Sequence, residues 1–304
     1  HDLKGLLAYS TISHLGLITL LFGLDTRLAA VAAVFHIINH ATFKASLFMA
    51  AGIIDHETGT RDMRRINGLL RFMPHTAVLA MVAASAMAGV PLLNGFLSKE
   101  MFFTETLEQH MLGNWSWLIP LGATLGGVFS VAYSLRFVHD VFFNGKPVNL
   151  PKYPPHEPPR YMRVPVEILV VMCLAVGLAP GFTVAGLLAV AAESTVGNAL
   201  PEYSLAIWHG FNLPLFMSFA AMVLGILVYS LRRPLFDWYA RQRDVDAKLV
   251  FEAAVQRLVR GAGQITLLLE NASLQRYLLC LLLAALVVTG FWLIQLPALR
   301  GPVA

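Results

Sequence analysis

Charge is scarce in this sequence. Of 304 residues, 13% are Asp, Glu, Lys or Arg and 57% are hydrophobic, whereas a soluble domain carries about 25% charged residues. Mean hydropathy is +0.65. Together these exclude an ordinary soluble domain. The net charge of +4 is small and spread over connecting segments, with no basic stripe, which excludes a nucleic-acid binder. Cysteine is nearly absent: Cys173 and Cys280 both lie in apolar runs, so neither a disulfide framework nor a thiolate metal site is expected. No phosphate loop, dinucleotide fingerprint or nucleophilic triad occurs. No catalytic residues, cofactor or metal are therefore expected. The chain starts at His1 with no initiator Met and no signal peptide, and is expected to be a piece of a longer protein.

What is present is a series of long apolar runs. A membrane-spanning helix needs about 20 mostly apolar residues. Such spans are read at about 5–24, 27–54, 74–90, 115–143, 164–191, 209–231 and 277–296. Between the third and fourth lies PLLNGFLSKEMFFTETL, interrupted by Pro91, Asn94 and Gly95 and carrying Lys99 and Glu100. Counted as a full span, it brings the total to eight. A backbone break at membrane depth is tolerated only where protein or a water-filled cavity satisfies the freed groups. The segment 232–276 mixes charged residues with Leu249, Val250, Ala253, Ala254, Leu258 and Val259 at helical spacing, which reads as an amphipathic helix, weakened or bent by Gly261 and Gly263. The fold class is all-α: a polytopic membrane helix bundle with one broken helix and a long amphipathic segment.

The second span holds the most informative residue. Lys44 lies near its middle, where a charge costs at least about 2.5–3.5 kcal/mol. His36 and His40 precede it at spacings of four. At about 100° per residue the three side chains fall within roughly 80° of one helix face and rise about 12 Å along it. A row of titratable groups at membrane depth points to ion or proton transfer. Either histidine alone also fits a polar contact between helices, and Lys44 alone fits a buried ion pair. Lys99 stands one turn beyond Gly95 and is expected to face a polar cavity opened by the break. Further candidates for an ion path are His14 and Ser13, with Ser10 and Thr11 beside them in the first span, and Glu100 and Glu167. His139 and Asp140 read as surface residues near a helix end, and Arg136 as paired with a carboxylate. Two histidines four apart can clamp zinc, but a tetrahedral site needs further ligands, and this helix face supplies a lysine instead.

The connections carry uneven charge. Residues 144–163 contain Lys146, Lys152, Arg160 and Arg163, and 232–276 is rich in Arg, whereas the connection with Glu193 and Glu202 has no Lys or Arg. Positive-inside places the first two in the cytoplasm. With the broken segment counted as a span, residues 55–71 fall outside despite Arg61, Arg64, Arg65 and Arg71, against the same rule.

Three stretches resemble a known family. DLKGLLAYSTISHLG (2–16), FHIINHATFKASLF (35–48) and GFLSKEMFF (95–103) resemble the antiporter-like subunits shared by respiratory complex I and multisubunit cation/proton antiporters. GIIDHETGTRD (52–62) and WHGFNLPL (208–215) are similar to the A subunit of the Mrp-type Na⁺/H⁺ antiporter. The resemblance covers essentially the whole chain. It implies a 14-helix core with two inverted five-helix repeats, each with one broken helix, of which residues 1–143 would be the second. Residues 144–231 would add two transmembrane helices, 232–276 a lateral helix tying neighbouring subunits together, and 277–304 a terminal anchor. It also implies that Lys44 is the central proton-relay lysine, with His36 and His40 as partners and Lys99 as the broken-helix lysine, and that the Arg-rich loop lies outside. The family's first-repeat Glu–Lys pair has no counterpart in these residues.

The expected function is therefore Na⁺/H⁺ exchange by a proton-translocating subunit in a bacterial inner membrane. Its partners would be the other antiporter subunits, the lipid bilayer, Na⁺ and H⁺. The alternatives are a structural scaffold and a redox-driven subunit of complex I.

Overall fold

The computed structural model describes residues 1–109, 112–197, 199–241, 247–269 and 274–299. Among the described residues there is no β-strand. Two compact units divide the chain, 1–235 and 236–304.

The first unit opens with antiparallel helices α1 (Leu3–Gly23) and α2 (Arg27–Thr58). Asp2 caps α1 by accepting from the Gly5 amide at 2.6 Å. Thr26 caps α2 by accepting from the Ala29 amide at 3.0 Å, as short polar side chains do at helix starts. Then follow α3 (Pro74–Ala88), α4 (Asn94–Leu107) and α5 (Leu118–Val138), the last continuing as a π-helical turn over 139–143. Helices α6 (Arg160–Leu178), α7 (Pro180–Thr183), α8 (Ala185–Val196) and α9 (Leu213–Ser230) complete the bundle. Helices α1, α2, α6 and α9, and the stretch 113–143 that contains α5, are long and apolar enough to cross a membrane.

Helices α3 and α4 are too short to cross singly: 15 and 14 residues rise about 22 and 21 Å against a hydrocarbon core of about 30 Å. They form one crossing between them. The start of α3 is fastened to the loop after α5, where Glu157 accepts from the His75 and Thr76 amides at 2.6 and 3.1 Å. The end of α4 reaches the α1–α2 turn, where Thr26 donates to Glu105 at 3.0 Å. Between them Gly89 takes φ +85, a left-handed conformation that glycine adopts without strain. At Gly95 a Cβ would strike the Ala86 carbonyl, so only glycine lets α4 start this close to α3.

This corrects the span count. Residues 1–231 make six crossings, with α3–α4 as one and α6–α8 as another, instead of seven. It also removes the conflict in charge. The loops 59–73 and 144–159 meet on one face: the Val148 amide donates to the Arg65 carbonyl at 3.0 Å and the Lys152 amide to Thr58 at 3.2 Å. Arg61, Arg64, Arg65 and Arg71 thus share a face with Lys146, Lys152 and Arg160, and positive-inside assigns that face to the cytoplasm. The Arg-rich loop lies on the same side as residues 144–159 and not opposite them. The opposite face carries Asp25, Glu108 and Glu202 with Arg27. In the Arg-rich loop, the hydrogen-bonded Arg64 guanidinium lowers the Asp62 pKa to about 2.

The crossing of 164–191 is also broken, at Ala179–Pro180 and again at Val184. Gly177 passes against the backbone of Leu92 and Leu93, and α8 packs through Leu188 and Ala192 with Val31 and Phe35 of α2. Asp140 is less exposed than its sequence position suggests: at the end of α5 it accepts from Tyr229 at 2.8 Å and pairs with Arg136 and Arg232 at 3.7 and 3.4 Å. Asp140 is thus the carboxylate that Arg136 was expected to have.

The amphipathic segment is two helices, α10 (Arg232–Ala240) and α11 (Ala247–Leu269). Helix α11 runs through Gly261 and Gly263 without a break. Arg243, one of the arginines that make 232–276 basic, lies outside the described residues. The second unit ends with α12 (Leu274–Leu299), which contains the apolar stretch Tyr277–Trp292.

Candidate functional site

Helix α2 turns His36, His40 and Lys44 into the bundle, where all three are buried. Helix α1 supplies Ser10 and His14, also buried and spaced by four, so both lie on the α1 face that meets α2. Helix α4 supplies Ser98 and Lys99, and α5 supplies Ser130. Each of these three helices is in direct packing contact with α1, α2 or both.

Lys44 Nζ donates to Ser10 Oγ and to the Leu7 carbonyl at 3.3 Å, while Ser10 donates to Leu7 at 2.8 Å. Four residues along α1, His14 lies between the other two histidines. Its ring stacks on His36 at 5.2 Å and on His40 at 5.1 Å. His14 Nδ1 is 3.0 Å from His36 Nε2, and His36 Nδ1 is 3.0 Å from Ser98 Oγ. Ser98 also donates to the Gly95 carbonyl at 3.3 Å. One tautomer set satisfies all these contacts: His14 Nδ1–H donates to His36, His36 Nδ1–H donates to Ser98, and Ser98 donates to Gly95. His14 Nε2 is then a bare acceptor with no protein partner. His40 Nε2, both side-chain atoms of Asn39 and Asn94 Oδ1 are likewise buried without protein partners.

Lys99 does not face an open cavity. Its ammonium turns into the break and donates to the Met87 and Ala88 carbonyls at 2.9 and 2.8 Å and to Ser130 Oγ at 3.0 Å. These carbonyls are left without helical partners where α3 ends, and Ser130 Oγ also donates to that of Met87 at 2.9 Å, so a cation at this terminus meets free backbone acceptors and the negative end of the helix dipole.

Ser13 is half-buried and lines a cavity of about 530 Å³ with Ser10 and Tyr133, whose mouth has His1, Asp2 and Arg136 on the cytoplasmic face. Glu100 points away from Lys99 into a second cavity on the other face. Glu167 is partly exposed near the cytoplasmic start of α6, apart from this network. The sequence reading missed Ser98 and Ser130, and named Ser10 without its partner. The Ser10–His14 spacing repeats the spacing of α2, and that was the available signal. Ser130 has no such signal, because its role depends on where the α3 carbonyls end.

Three comparisons bear on this arrangement. Residues 1–129 match the family described as NADH:quinone oxidoreductase/Mrp antiporter, TM. The chain is 62% identical over 232 residues to a probable K(+)/H(+) antiporter A/B subunit of Rhizobium meliloti (strain 1021), covering 76% of this chain and 23% of that protein. It is 36% identical over 315 residues to the Na(+)/H(+) antiporter A subunit of Bacillus subtilis (strain 168), covering 95% and 39%. The chain thus spans less than half the length of these relatives. Among solved structures it is similar to a chain of the Mrp complex from Dietzia sp. DQ12-45-1b, with 34% identity, coverage of 96% and 31%, and a TM-score of 0.73. Similarity to respiratory complex I from Thermus thermophilus is 25% identical, covers 64% and 39%, and has a TM-score of 0.52.

Proposed function

From the match of residues 1–129 to the NADH:quinone oxidoreductase/Mrp antiporter transmembrane family, we propose that this chain is part of the proton-translocating A subunit of a larger assembly. That assembly would be a multisubunit monovalent cation/proton antiporter, exchanging Na⁺ for H⁺ across a bacterial cell membrane as a transporter and not an enzyme. Residues 1–143 are the second repeat, 144–231 two further crossings, 232–276 the lateral segment that fastens neighbouring subunits, and 277–304 a terminal anchor. The relatives' names and the likeness to a chain of an Mrp complex support this reading.

One observation carries the proton path: Lys44, Ser10, His40, His14, His36 and Ser98 form a buried row drawn from three helices. A proton released by Lys44 reaches the bare Nε2 of His14 through water held by the unpaired atoms of His40 and Asn39. Its arrival lets Nδ1–H of His14 pass to His36 Nε2 and Nδ1–H of His36 pass toward Ser98. The row then holds the opposite tautomers and must turn back before the next proton, which gives it two states. Lys99, next after Ser98, ends the path: its ammonium first gives up a proton as one of its three bonds opens, and the amine so formed takes the proton that Ser98 releases on accepting the one from His36. Lysine suits the first position because it can lose its charge inside a protein.

A complex I membrane-arm subunit is the second reading, and the match to complex I supports it. Coverage of 96% of the chain by the Mrp complex against 64% by complex I favours the antiporter. The test is Lys44→Ala in the assembled complex, with exchange followed by dye quenching in everted vesicles. Exchange is expected to vanish with assembly intact. Wild-type exchange would leave the scaffold reading in its place.

A further inference from the structure

We propose that the cavity beside Glu100, on the face opposite the Arg-rich loops, is a binding site for one alkali-metal cation. This deepens the exchange reading above and rests on it. The cavity measures about 260 Å³ and lies between the start of α2, the end of α4 and the connection before α9. Glu100, Glu105 and Glu202 line it, and neither lysine nor arginine does. Glu100 and Glu105 are 5% and 2% exposed.

Glu105 is accounted for by the hydrogen bond from Thr26. Glu100 is not. Its Oε2 is buried and has no hydrogen-bond partner; His209 Nδ1 stands 3.6 Å away, an ion pair only when that ring is protonated, and beyond hydrogen-bond reach. Beside a neutral imidazole, a buried carboxylate is costly unless a cation or a proton neutralises it. A proton fits poorly here. On Oε2 it would have no acceptor, and on Oε1 it would face the Asn212 side-chain amide, itself a donor at 3.4 Å. Both oxygens are therefore placed to accept, as a hard cation's ligands are. Thr104 and Ser204 add hydroxyl oxygens to the lining. The site is a roomy one with few fixed ligands, which suits an ion keeping part of its water shell. It suits Mg²⁺ poorly, which demands near-ideal octahedral geometry.

The test uses the purified, assembled complex and radioactive sodium. Glu100→Gln, nearly the same shape without the charge, is expected to bind one sodium fewer per complex, or to bind it at least tenfold more weakly. In vesicles it is expected to raise the sodium concentration for half-maximal exchange by a similar factor. Lys44→Ala is expected to keep the bound sodium while losing exchange, so the site and the proton path fail separately. Should Glu100→Gln not assemble, Glu100→Asp keeps the charge but withdraws the oxygens, and is expected to weaken sodium severalfold. Unchanged sodium stoichiometry and affinity in the variant that assembles would overturn the site. So would a loss of exchange with sodium binding intact, which would make Glu100 a proton carrier.

Discussion

His14 is the residue on which the row turns. Its ring lies against both His36 and His40, and it brings a second helix to the row of α2. His14→Ala is expected to lower exchange at least tenfold with assembly kept, measured in the same vesicles. Full exchange would remove His14 from the path. Lys99 makes a different contribution. Its removal in Lys99→Met strands the Ala88 carbonyl and leaves the Met87 carbonyl to Ser130 alone, and a buried group left unpaired costs about 1–3 kcal/mol. A lowered melting temperature of the purified complex is the expected result. Unchanged stability would show that the break does not depend on this ammonium. At this scale the sequence was legible where a helix face repeats by four, as at His36, His40 and Lys44. The joining of two helices was not legible. Whether His14 meets His36 or lipid depends on how α1 rotates against α2, and local spacing carries no such information.

At the scale of elements, the break between α3 and α4 decides most of the architecture. Its position could be read from Pro91, Asn94 and Gly95, but its consequence could not. A run broken by Gly and Pro looks the same whether the halves are two crossings or one. Length separates the cases, since two helices of about 22 Å cannot each span about 30 Å. The second break, at Pro180, lay inside a run uniform enough to pass as one helix. Gly95→Ala tests the packing at the first break. Its Cβ meets the Ala86 carbonyl, backbone that cannot yield as a side chain would, and overpacking of this kind costs about 1–3 kcal/mol. Lower thermal stability of the assembled complex is expected, and wild-type stability would mean that α4 shifts freely.

At the scale of the whole molecule, the crossing count fixes which loops share a side. Six crossings in residues 1–231 place Asn67 and Asn149 together and Ser116 opposite. Single cysteines at these positions, in a Cys173→Ser, Cys280→Ser background, can be labelled in everted vesicles with a membrane-impermeant maleimide. Labelling at 67 and 149 but not at 116 is expected. Protection of 67 together with 116, with 149 still labelled, would restore the seventh crossing and return the Arg-rich loop to the side opposite residue 149. The charge pattern of the sequence already held this answer, because positive-inside disagreed with the count at that loop alone.

The most direct measurement of proton transfer through the row is exchange by the assembled complex carrying Lys44→Arg. Arginine keeps the positive charge and cannot be deprotonated inside a protein. Transfer through Lys44 requires that charge to come and go. Complete loss of exchange, with the complex assembled, is the result this account predicts. Exchange at the wild-type rate would contradict it, because a fixed charge would then suffice.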